Sequence, residues 1–140
     1  MEMFQTYLLS VSLVHLISTS VMVGVILVMQ FVHYPAFHFV KQNIYSSFQK
    51  FHMNKISYIV LPFMMTEIIT GFILALTISD IFLAISIIIL LVIWTVTASY
   101  FSSSHQSLVK EYNKNIVDKL VKMNWFGTIL WMLRLIFFIK

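Results

Sequence analysis

The chain has no cysteine, only two prolines and three glycines in 140 residues, and charge on just 10% of its side chains. Without cysteine no disulfide forms, and no thiolate serves as metal ligand or nucleophile, which removes several redox chemistries at once. A charged fraction this low is far below the roughly 25% of a soluble domain. Basic residues are also missing ahead of the first apolar run. Met1-Glu2-Met3-Phe4-Gln5 has no cationic n-region and no A-x-A-like site follows, so that run reads as a retained helix and not a cleaved signal.

What the chain does have is apolar length, with 60% hydrophobic and 16% aromatic residues. A membrane span needs roughly 20 mainly apolar residues to cross about 30 Å of hydrocarbon. Four stretches approach that requirement, at about 7–32, 56–78, 81–101 and 121–139. The apolar part of the fourth begins only near Trp125, so its helix starts a turn earlier, near Leu120. With no repeat, linker or composition break, residues 1–140 form a single domain. The expected fold is all-α: a polytopic membrane protein, an antiparallel up-down-up-down bundle of four transmembrane helices.

Lysine positions orient it. Lys41, Lys50, Lys55, Lys110, Lys114, Lys119 and Lys122 lie in the loops 34–54 and 102–120 or within two residues of them, whereas the other face carries Glu2, Asp80 and Lys140. By the positive-inside rule both loops are cytoplasmic and both termini lie outside, as for a protein of the bacterial inner membrane. The net charge of +4 reflects this topology and anionic lipid, and says nothing for nucleic acid. Ser79-Asp80 caps the third helix and closes a tight hairpin. The first loop is aromatic and amphipathic, so a headgroup-level helix with Phe and Tyr rings turned into the bilayer is expected. In the second, Val109, Tyr112, Ile116, Val117 and Leu120 recur at helical spacing and prolong the third helix.

Polar residues inside the spans are where function is sought. His15, Ser18, Thr19, Met22, Gln30 and His33 form one stripe of the first helix and should face the interior, joining helices by hydrogen bonds. Glu67 stands alone in an apolar stretch, roughly 18 Å from the cytoplasmic edge at about 1.5 Å per residue, and Arg134 lies roughly 14 Å in. As the only opposite charges within the spans, they are expected to pair; a proton or substrate pathway through Glu67 and His15 is the alternative. His33, His38, His52 and His105 meet at the cytoplasmic end from three elements. Imidazole ligates metals and haem, but no E-x-x-H or H-x-x-x-H pair is present and interfacial rings are the plain reading.

Four runs resemble a known pattern: Val32-His33-Tyr34-Pro35-Ala36-Phe37; His52 and then Pro62-Phe63-Met64-Met65-Thr66-Glu67; His105-Gln106-Ser107-Leu108; and Asn124-Trp125-Phe126-Gly127-Thr128-Ile129-Leu130-Trp131-Met132-Leu133-Arg134. In this order, over nearly the whole chain, they resemble a family of small bacterial four-helix membrane proteins of unknown function, and more distantly the anthrone-oxygenase-like membrane proteins. The chain departs from that pattern at Gln49, where the family has a histidine, at Gly127, where it has an arginine, and at Ser103, where it has a proline. The resemblance implies one shared interior site drawn from all four helices. A looser likeness of 28–38 to small haem-binding protoporphyrinogen oxidases lacks the arginine after Pro35 and the rest of that pattern.

Two classes of function follow. In the first, the protein is an oxidoreductase or oxygenase-like enzyme acting on a hydrophobic molecule from the bilayer. His33, His52 and His105 then bind a transition metal or haem or act as acid and base, Glu67 and Arg134 hold the polar end of the substrate, and Trp94, Asn124, Trp125 and Trp131 bind the rest. In the second, the chain is a non-catalytic bundle, a homo-oligomer or an accessory subunit of a membrane complex, and these residues only set packing.

Overall fold

The computed structural model describes residues 1–139; Lys140, counted above with the terminal face, lies outside the described residues. Four helices make up almost the whole chain: α1 (Glu2–Phe39), α2 (Gln42–Thr77), α3 (Ile81–Lys110) and α4 (Lys114–Ile139). Each is long and apolar enough to cross a membrane.

The helices are longer than the expected spans, and the expected loops nearly vanish. Only residues 40–41 join α1 to α2, and only 111–113 join α3 to α4. The segment expected as loop 34–54 has no breaker after Lys41. Its Tyr45, Gln49 and His52, four and then three residues apart, line one buried face and carry α2 straight on. Its rings are divided: Phe37 and Tyr45 are fully buried, whereas Phe39 and Phe51 are 87% and 61% exposed. Residues 102–110 likewise continue α3.

Local chemistry sets the ends. Val40 turns extended (φ −79°, ψ 127°) and stops α1. Asp80 caps α3 as expected, its Oδ1 accepting the Leu83 N–H at 2.8 Å, and Asn113 Oδ1 accepts the Asn115 N–H at 3.0 Å at the start of α4. Two wider, π-type turns interrupt α1 at Met29–His33 and α3 at Thr97–Phe101. Such turns recur at functional sites, and both sit beside the cavity described below.

Side-chain pairs fix the register. His15 meets Thr70, Thr19 meets Glu67 and His33 meets His52 between α1 and α2. Gln30 meets Asn124 between α1 and α4, and Gln49 meets His105 between α2 and α3. Apolar clusters stack along the bundle. Val11, Leu74, Leu83 and Ile87 occupy the end near the N-terminus, Met22, Met64, Leu90, Ile93 and Trp131 the middle, and Phe37, Tyr45, Leu108, Val117 and Leu120 the lysine-rich end. The outer surface is apolar too, with Ile88 61% and Ile129 53% exposed, a surface compatible with contact to a lipid bilayer.

Close packing appears at one glycine. A Cβ on Gly71 would meet His15 Cε1 at 3.3 Å, and that ring is held by Thr70 and by Phe138 at 4.8 Å between centroids. Gly71→Ala is therefore expected to destabilise, because an overpacking cost of about 1–3 kcal/mol exceeds the roughly 1 kcal/mol of helix propensity it gains. Gly24→Ala, with nothing within 4 Å of the new Cβ, should stabilise instead. Thermal unfolding of both variants in detergent checks the opposite signs.

Candidate functional site

The first polar group in the interior is built around an ion pair. Glu67 and Arg134 are both fully buried, and Arg134 Nη1 donates to Glu67 Oε1 at 2.8 Å. The same oxygen accepts from the Thr19 hydroxyl at 2.7 Å. Arg134 Nε donates to the Ser86 carbonyl at 3.2 Å, and its Nη2 lies 3.5 Å from His15 Nε2. His15 Nδ1 shares a hydrogen bond of 2.8 Å with the Thr70 hydroxyl. Every helix contributes, so the expected pairing of Glu67 with Arg134 is present and joins α2 to α4. One carboxylate oxygen, Glu67 Oε2, and the Ser86 hydroxyl are buried with no hydrogen-bond partner among the described residues. Of this group, only the neighbouring Trp131 lines the cavity described below.

The second group lies at the lysine-rich end, fifteen residues along α2 from Glu67 to His52, or roughly 22 Å at about 1.5 Å per residue. There His33 Nε2 and His52 Nδ1 share a hydrogen bond of 2.7 Å. His105 is held on both sides, by the Tyr34 hydroxyl at 3.2 Å and by a short contact with the Gln49 amide. The His52 and His105 rings stand 5.2 Å apart, and Phe37 packs its ring against His33, Tyr34, His52 and His105. His38 stays apart, 3.3 Å from Asp118 on the surface. So the residues expected in one interior site fall into two polar groups, one around Glu67 and one around His52.

A cavity of about 350 Å³ opens from the second group into the middle of the bundle. That is within the usual range for small-molecule sites. Its polar end is His52, His105, Tyr34 and Asn124, and its walls are apolar, including Met29, Met64, Phe101, Trp94 and Trp131. Three of the four residues expected to contact substrate therefore line it. Trp125 does not: it is 45% exposed and packs edge-on against Phe31 at 5.3 Å on the outside of α4. The reason is helical phase. Asn124, Thr128 and Trp131, at i, i+4 and i+7, hold the inward face, and a residue one step on turns away by about 100°. Glu67 and Arg134, expected at the substrate's polar end, are absent from the walls because each is consumed by the other.

The arrangement does not fit a metal. Both nitrogens of His105 are engaged, His33 and His52 spend a nitrogen on each other, and among the described residues no three His, Asp or Glu side chains are placed to hold an ion. Gln49, which stands where the resembling family has a histidine, is a hydrogen-bond partner of His105. Gly127, standing where that family has an arginine, leaves open room on the cavity wall. Sequence reasoning missed Gln49, Thr70 and Ser86 as members of these groups. The spacing of Gln49 from His52 could have placed it on the buried face, whereas Ser86 acts through its backbone carbonyl, which no side-chain pattern signals. Comparison with family models, with curated proteins and with solved structures finds no match to this chain.

Proposed function

We propose that this chain is an integral membrane protein of the up-down-up-down kind, its lysine-bearing connections in the cytoplasm of a bacterium and both termini outside. It takes a hydrophobic small molecule from the bilayer into the cavity and moves a proton on it, as the first step of an oxidoreductase or oxygenase-like reaction. The observation that carries this reading is an apolar cavity ending on an imidazole that is itself held by a second imidazole. The more distant resemblance to anthrone-oxygenase-like membrane proteins points the same way.

The roles follow from hydrogen-bond geometry. His52 lies on the cavity wall, and in the tautomer that donates its Nδ1–H to His33 Nε2 the neutral ring carries a lone pair on Nε2. It takes a proton from an acidic C–H or O–H of the substrate at Nε2, and His33 stabilises the imidazolium through the hydrogen bond already made. Tyr34 and His105, bonded to each other, line the polar end beside His52 and orient the substrate.

Anthrone, a hydrophobic carbon acid whose enolate absorbs in the visible, tests this in detergent-solubilised protein. The wild type should accelerate enolate formation, and His52→Gln should lose about 10²–10⁴-fold, the usual worth of a positioned base. Gly127→Phe, which fills the cavity from a position with nothing within 4 Å of the new Cβ, should abolish the effect as well. Equal rates in all three would leave the reading as a non-catalytic bundle or accessory subunit, which the mutual pairing of Gln30 with Asn124 and of Glu67 with Arg134 favours.

A further inference from the structure

Next to the cavity's polar end, between α2 and the last turns of α3, lies a second, shallower recess. It is lined by Lys50, Met53, Asn54, Gln106, Val109 and Lys110. Two ammonium groups and two amides surround it, and no carboxylate is among its walls. Lys50, Asn54 and Lys110 make no hydrogen bond or ion pair within the described residues, so their donors are unspent. Met53 belongs to both the recess and the cavity, and Gln106 of the recess follows His105 of the cavity in sequence. The two hollows thus lie on either side of Met53, the one apolar toward the bundle centre and the other cationic toward the lysine-rich end.

We infer that the molecule taken into the cavity is an anionic amphiphile: its apolar body lies in the cavity and its carboxylate or phosphate sits between Lys50 and Lys110. The inference rests on the reading of the cavity as a binding site for a hydrophobic molecule, and adds the charge of the other end. Position in the membrane supports it. The recess is one to two helical turns beyond the apolar part of α2, at the depth where lysine heads reach water while their stems lie on apolar surface. An anionic group there keeps its hydration and gains two cations, while the rest of the molecule stays out of water. The atoms just below the anionic group would then pass His52, which lies beside Met53.

The test compares tetradecanoate with tetradecanol, which differ in the charge of the head. Native mass spectrometry of the full chain, released from micelles with both probes present, counts bound copies of each. Tetradecanoate is expected to bind about tenfold more tightly, the worth of two exposed ion pairs. Lys50→Gln/Lys110→Gln should erase that preference and leave tetradecanol binding unchanged, and Gly127→Phe should expel both probes. Equal binding of the two, or a preference that survives the double lysine change, overturns the inference and leaves the cavity reading standing. Binding of neither probe, or binding indifferent to Gly127→Phe, overturns the cavity reading and the inference together.

Discussion

Arg134→Met is expected to destabilise the bundle by about 3–5 kcal/mol, because it strands a carboxylate in the interior. Glu67 would keep only the Thr19 hydroxyl, and its second oxygen already lacks a partner. Glu67→Gln should cost a similar amount by stranding the guanidinium, whose remaining contacts are the Ser86 carbonyl, His15 and the face of Trp131 at 4.9 Å. The double change Glu67→Gln/Arg134→Met removes both charges and should recover much of the loss. Neutral side chains of similar volume replace buried ion pairs at little cost. Unfolding of the four proteins in detergent gives the cycle. Additive losses would mean that the two groups do not act on each other, against a separation of 2.8 Å.

Phe37→Ala should cost about as much, roughly 3–5 kcal/mol, for a different reason. The ring is fully buried at the bend where α1 tightens before its end, and it packs on His33, Tyr34, Tyr45, Phe48, His52 and His105. Its loss opens a void beside His33, His52 and His105, so the hydrogen bond of His33 to His52 should loosen along with the fold. Phe39→Ala, two residues on and 87% exposed, should stay within about 0.5 kcal/mol. Unfolding measurements on the two variants separate a core ring from a surface ring. No effect at Phe37 would put that ring outside the core, as the expectation of a headgroup-level segment with its rings toward lipid has it.

These two predictions draw on different kinds of information. Glu67 and Arg134 could be paired from sequence because each is a lone charge at similar depth in an apolar helix, and a buried charge requires a partner. The stripe of His15, Ser18, Thr19, Met22, Gln30 and His33 was readable for the same reason; the first five are buried and His33 is half-buried. Phe37 offered no such signal. Its neighbours in sequence, Pro35 and Lys41, read as a loop, and a phenylalanine suits a bilayer as well as a protein core.

Sequence by itself determined four helices long and apolar enough to span a membrane, the charged pair that joins α2 to α4, and the meeting of His33, His52 and His105 at the lysine-rich end. Only the tertiary structure decided how far the helices run past their apolar segments, that Trp125 turns outward while Trp94 and Trp131 line a cavity, and that the polar interior is divided in two. The physical reason is that hydrophobicity loses its power to choose a face when the surroundings are as apolar as the core. On such helices polar side chains alone mark the inward side in sequence. The placement of every apolar one, and of the hollow between them, is set by packing.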